Sequence, residues 1–145
     1  SVINQSPDMY SKIITINAGK KNKVDKDLAV INEKGLIGKT TFSSFNNSTV
    51  LLINDPLSSV PVKTLSDASY SIISGSADGK YLISTFTKDN RMPVVGDLLV
   101  TSGNARIFPR DILVGKVIEI KDDHYIALPY VDFKNLNYVQ VVKSK

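Results

Sequence analysis

One histidine, no cysteine and fourteen acidic residues bound the chemistry this 145-residue chain can carry. A hydrolase triad needs a nucleophile, a base bonded to it, and a third group that orients the base. His124 is the sole candidate base, and it stands in Lys121-Asp122-Asp123-His124, which reads as a solvated hairpin tip. Ser102, in Thr101-Ser102-Gly103, lacks the flanking Gly pattern that shapes an exposed nucleophile elbow or oxyanion hole. Asp122, Asp123 and His124 are adjacent, so on a strand they point to opposite faces and do not converge on a metal. Asn22, Asp25 and Asp27 are spaced loosely like a calcium loop, without its glycine and terminal glutamate. The lack of cysteine removes disulfides, thiolate zinc sites and cysteine nucleophiles together. The reading is therefore of a chain with no catalytic residue, no metal site and no cofactor.

Two other residue groups could do chemistry by contact. Lys20, Lys21, Lys23 and Lys26 form the densest basic run, echoed by Arg106 and Arg110, in a chain of net charge +4 and pI about 9.2. Such a run faces phosphates, as nucleic acid or anionic lipid, or is simply a solvated loop. The loop has no interleaved aromatic to stack bases, which favours the solvated reading, and no nucleic acid is expected. The aromatics gather elsewhere: Tyr125, Tyr130, Phe133 and Tyr138 fall in one C-terminal stretch, with Tyr70, Tyr81 and Phe86 in the same half. Along Tyr125–Val131, Ile126 and Leu128 share one face, and Tyr125, Ala127 and Pro129 share the other. With the Ile/Leu face in the core, Tyr125 looks outward. Tyr125, Tyr130 and Phe133 are thus the expected partner-binding residues, with Tyr130 and Phe133 alternatively filling a seam. Phe42 and Phe45 are expected to cover the end of a barrel.

These groups must be positioned by strands. Fifteen valines and fifteen isoleucines against six alanines favour β-structure, and 42% hydrophobic residues suffice for a core. No segment holds a 3.6-residue apolar period over three turns, and no apolar run approaches the roughly 20 residues that span a bilayer. Ser6-Pro7-Asp8 resembles a helix start good for one short turn. From Ile13 onward, short strands follow at regular spacing, punctuated by Gly, Pro and Asp: Ile13–Asn17, Leu28–Asn32, Leu36–Phe42, Thr49–Asn54, Val60–Leu65, Tyr70–Ser74, Tyr81–Thr87, Asp97–Ser102, Ile112–Ile120, Tyr125–Val131 and Tyr138–Lys143. The fold class is all-β.

Two segments align without a gap. Ile16-Asn17-Ala18-Gly19, four residues, then Val24-Asp25-Lys26-Asp27-Leu28-Ala29-Val30 is matched by Val100-Thr101-Ser102-Gly103, four residues, then Phe108-Pro109-Arg110-Asp111-Ile112-Leu113-Val114. In each, a strand ends at a glycine able to take positive φ, a polar loop crosses, an apolar plug (Val24 or Phe108) enters, and an Asp caps the turn into the next strand. Gly19, Val24 and Asp27 thus correspond to Gly103, Phe108 and Asp111. The pattern implies an internal repeat and two small packed β-barrels. The first covers residues 1–57, completed by a C-terminal strand around 138–145, and the second covers 58–137.

The order of motifs resembles the family of the bacterial rod shape-determining protein MreC, in its extracytoplasmic β-domain. The resemblance runs through Gly35-Leu36-Ile37-Gly38-Lys39, Val50-Leu51-Leu52-Ile53-Asn54-Asp55-Pro56 and Gly96-Asp97-Leu98-Leu99-Val100-Thr101-Ser102-Gly103 with Phe108-Pro109. It continues through Val114-Gly115-Lys116-Val117 to Pro129-Tyr130-Val131-Asp132-Phe133 and Leu136–Val142. It implies a non-catalytic scaffold of the cell-wall elongation machinery that organises peptidoglycan synthesis and maintains rod shape. It further implies a place on the periplasmic face of the cytoplasmic membrane, held by an N-terminal helix absent from this chain, which opens at Ser1 and reads as a processed or excised product. The partners it implies are a class B penicillin-binding transpeptidase, other elongation-complex membrane proteins and further copies of itself. The competing readings are a basic nucleic-acid-binding barrel and a serine hydrolase-like barrel.

Overall fold

The computed structural model describes residues 2–5, 12–104 and 106–143, and the helical turn expected at Ser6-Pro7-Asp8 lies outside them. The strands are β1 (Val2–Gln5), β2 (Ile13–Ile16), β3 (Ala29–Asn32), β4 (Gly35–Ser43), β5 (Ser48–Leu52) and β6 (Val60–Thr64). They continue with β7 (Tyr70–Gly75), β8 (Leu82–Thr87), β9 (Leu98–Thr101), β10 (Leu113–Ile120), β11 (Tyr125–Pro129) and β12 (Gln140–Val142). Short 3-10 turns at Lys20–Asn22 and Lys88–Asn90 are the only helical pieces among the described residues. Most strands show period-two burial, as in β5, where Ser48, Val50 and Leu52 are buried and Thr49 and Leu51 are half-buried.

The chain is all-β, but it builds one closed barrel and one open sheet rather than two closed barrels. The barrel runs β10-β11-β8-β7-β6-β9 and closes where β9 pairs with β10, Leu113 opposite Val100. The other sheet runs β1-β2-β5-β4-β3-β12. Its ends curl toward each other, with the Val2 N–H donating to the Asn137 carbonyl at 3.2 Å just before β12. The wiring around the two aligned segments also differs. β9 and β10 pair directly, whereas β2 and β3 are separated by β5 and β4.

Val60, Val62, Ile73, Leu82, Leu99, Val117, Tyr125 and Ala127 belong to the barrel core, together with Ala29 and Leu36 from the sheet. Ile14, Ile16, Val30, Ile37, Val50 and Leu52 form the sheet's core, and Val131 and Leu136 return from the end of the barrel to join it. Phe133 packs against both clusters and so fills the seam. Asp55 ties the seam in place, its carboxylate accepting the Lys12 N–H at 3.0 Å and the Leu57 N–H at 2.8 Å. Its carbonyl takes the Gly75 N–H at 3.0 Å.

Candidate partner-binding surface

The facing of β11 decides which apolar groups meet solvent, and it is opposite to the sequence expectation. Tyr125 is 1% exposed, so it is no outward anchor. Its ring crosses over β8, and its hydroxyl shares a 2.5 Å hydrogen bond with Ser71 Oγ on β7. The Tyr125 N–H donates to Ser84 Oγ at 2.9 Å. Burial pushes the Tyr125 hydroxyl up to about 12, and the bond from Ser71 only partly offsets this. The physical reason is the narrow bore of a six-stranded barrel. Ala127, opposite both Leu82 and Val117, is the small residue the interior accepts, and Tyr125 brings a polar end that Ser71 satisfies.

Ile126 and Leu128 therefore point out, and they do not stand alone. Ile126 lies opposite Ile83, and Ile72 lies opposite Phe86, so the outer wall of β7, β8 and β11 carries adjacent apolar side chains. Phe86 is 55% exposed and Leu128 49%. Three concavities touch this wall. One of about 530 Å³ includes Tyr70, Ile72, Phe86, Lys88 and Arg110, with the Lys88 ammonium 5.7 Å from the Tyr70 ring centre. A shallower one includes Tyr81, Ile83 and Ile126. The third, about 500 Å³, runs along the seam past Ile13, Asn54, Leu128, Val131 and Phe133. Tyr130 is half-exposed just beyond Leu128, and Phe133 serves the seam. Ile72, Ile83, Phe86, Ile126 and Leu128 are the members that sequence reasoning missed. In sequence Phe86 is one aromatic among several, and the Ile126/Leu128 face of β11 reads as core.

A family profile described as "Rod shape-determining protein MreC, barrel core" matches residues 2–143. The chain belongs to the MreC family. The cell shape-determining protein MreC of Bacillus subtilis is 38% identical over 98% of the chain and 55% of its own length. The chain thus spans about half the length of the curated MreC relatives it matches. A solved MreC of Listeria monocytogenes superposes with a TM-score of 0.90 at 29% identity, covering 99% of this chain and 73% of that one. The fold recurs, at 18% identity and a TM-score of 0.77, in the MreC of a Helicobacter pylori complex with a penicillin-binding protein, covering 99% and 94% of the two chains.

Within this fold the hydrolase candidates are far apart. Ser102 is buried just past β9, beside the start of β10, and His124 follows the far end of β10, so β10 separates them by roughly 25 Å. The His124 ring bonds Asp123, its sequence neighbour, at 2.7 Å. Among the described residues, no three acidic or histidine side chains group as a metal site would require.

The two aligned turns of the MreC core share a bonding pattern. In the first, Thr40 Oγ1 donates to the Asp25 carbonyl at 2.6 Å and accepts the Leu28 N–H at 2.9 Å. In the second, Thr101 Oγ1 donates to the Pro109 carbonyl at 2.5 Å and accepts the Ile112 N–H at 2.9 Å. Asp27 and Asp111 both adopt left-handed φ, 62° and 69°, and pair with Lys39 and Lys63. Val24 and Phe108 are both buried. The glycines differ: Gly103 has φ 82°, whereas Gly19 is extended, and a Cβ there would strike the Ser44 and Phe45 carbonyls.

Proposed function

We propose that this chain is the non-catalytic, partner-binding part of a cell-wall elongation scaffold that maintains rod shape. It acts at the periplasmic face of the cytoplasmic membrane, held there by an upstream helix. Its partners are a class B penicillin-binding transpeptidase, other membrane proteins of the elongation complex and second copies of itself. The complex seen for the Helicobacter pylori protein is the family precedent for the first of these. One observation carries the reading: along three neighbouring strands the barrel wall lines up the half-buried Ile72, Ile83 and Ile126 with the exposed Phe86 and Leu128. A contiguous wall of this kind suits a protein interface. Tyr130 extends it, Phe133 supports it from the seam, and Tyr125 holds it from inside.

The division into a unit of residues 1–57, completed by the strand near 138–145, and a unit of 58–137 belongs to the same proposal. So does a repeat whose shared part is the turn of Gly19, Val24 and Asp27 and of Gly103, Phe108 and Asp111, with the strand wiring around it diverged. The function is tested by placing a photo-crosslinking residue at Phe86, Leu128 or, as a control on the open sheet, Thr49 of the full-length protein in cells. Capture of the transpeptidase from Phe86 and Leu128 and not from Thr49 is expected. Capture from Thr49 alone, or from none of the three, overturns the reading.

A further inference from the structure

The open sheet ends in a protrusion whose chemistry differs from that of the barrel wall. After β2 the chain turns through Lys20–Asn22, and this loop lies against the turn that joins β4 to β5. The Lys20 N–H donates to the Ser44 carbonyl at 2.8 Å and the Lys21 N–H to the Phe45 carbonyl at 3.1 Å. Ser48 Oγ donates to the Ala18 carbonyl at 2.7 Å. The approach is close enough that only a glycine fits at position 19. Two stretches separated in sequence therefore form one tip. It carries Lys20, Lys21, Lys23 and Lys26, all exposed. It also carries Phe42 and Phe45, which are 63% and 66% exposed and cover no barrel end.

The charges at this tip are free to meet an external anion. Lys39, Lys63 and Lys121 each hold a carboxylate, whereas among the described residues none of the four tip lysines does. Of the nearby acids, Asp27 pairs with Lys39, and Asp25 accepts the Lys26 N–H at 2.9 Å. The aromatic group that the basic loop lacks in sequence is thus supplied by a different hairpin.

We propose that this tip docks on the surface of an anionic lipid bilayer. The lysines meet the headgroup phosphates, and Phe42 and Phe45 enter the boundary with the acyl chains. A soluble polyanion would use the lysines and leave the two phenyl rings in water. Single-stranded nucleic acid binds along grooves where successive bases stack on aromatic faces, whereas of these two rings one lies in a hairpin turn and the other just before it. A basic patch or a small apolar patch holds a membrane only weakly by itself, and the two together give stable peripheral binding. This inference stands independently of the transpeptidase proposal, because it uses the opposite sheet.

The test is sedimentation of the 145-residue chain with vesicles of phosphatidylcholine alone and with one-third phosphatidylglycerol. Binding is expected only to the anionic vesicles and should fall as salt rises. Each lysine changed to Gln should lower partition about fivefold at low salt. Phe42→Ser with Phe45→Ser should lower it about tenfold with the net charge unchanged. Both rings are exposed, so the thermal midpoint should hold, and it is measured to show that the fold is intact. A parallel titration with inorganic polyphosphate and a single-stranded oligonucleotide separates lipid from free phosphate. Absence of binding to anionic vesicles, indifference to the two Phe changes, or equal affinity for the soluble polyanions each overturns the proposal.

Discussion

On the barrel an outward apolar row runs along three neighbouring strands, whereas on the open sheet two exposed phenylalanines, Phe42 and Phe45, sit at the end of the hairpin of β4 and β5. Ile72, Ile83, Ile126 and Leu128 face outward from β7, β8 and β11. The corresponding wall of the open sheet carries Thr15, Lys39, Thr41 and Thr49, with Ile13 and Leu51 as its apolar members. The topology gives the contrast a physical sense. Closing β9 on β10 leaves no barrel edge to pair, so a partner must be gripped by side chains on the wall. The open sheet keeps β1 and β12 at its margins, joined by the Val2–Asn137 bond and not by a strand ladder, and a strongly apolar wall beside such edges would invite uncontrolled association. Its exposed phenylalanines instead sit among lysines.

The same contrast appears inside, where one kind of turn is clamped from two directions. Phe108→Ala should cost on the order of 3–5 kcal/mol in denaturant unfolding, because the ring is buried in the barrel core. Val24→Ala, which removes the smaller plug, should cost about 2 kcal/mol. Equal costs would break the account of two plugs of different size. Thr40→Val and Thr101→Val each remove a hydroxyl that both donates and accepts in a buried turn, and each should cost roughly 2–3 kcal/mol. A full loss at Thr101 beside almost none at Thr40 would show that the two turns are not the same device.

Tyr125 sharpens the comparison through pH. Its folded value is about 12 against 10.0 for the free side chain, so the unfolded chain releases this proton first as pH rises. The stability it confers is present below pH 10 and is lost between about pH 10 and 12, by roughly 2–3 kcal/mol. Tyr125→Phe, which removes the buried hydroxyl, should flatten that part of an alkaline unfolding profile. The smallest effect should come from the wall itself. Phe86→Ser and Leu128→Ser should each move stability by about 0.5 kcal/mol or less, as surface changes do.

Strand placement was legible because β-branched runs and Gly, Pro and Asp punctuation reflect local backbone preferences. The eleven strands expected from Ile13 onward correspond to β2–β12. Which way β11 faced was not legible. Both of its faces carry apolar residues, and the choice rests on Ala127 fitting between Leu82 and Val117, a contact made across strands. The Thr clamps were hidden for a related reason. Thr101 precedes its turn and Thr40 follows its own, since each comes from whichever strand pairs beside it. Gly19 and Gly103 align, yet one is set by a close backbone approach and the other by its φ, and sequence does not separate the two. The meeting of Lys20 and Lys21 with Phe45 depends on main-chain bonds between distant segments, so no interleaved aromatic marks it in the sequence.

The barrel's outer wall, and not Tyr125, is the surface proposed to grip the transpeptidase. The most direct measurement of that grip is a titration of purified class B transpeptidase with Phe86→Ser/Leu128→Ser and, in parallel, with Tyr125→Phe, each checked for an intact fold. The wall variant should lose at least tenfold in affinity while keeping its melting temperature, and Tyr125→Phe should bind like the parent. Parental affinity for the wall variant, with weakened binding by a folded Tyr125→Phe, would contradict it.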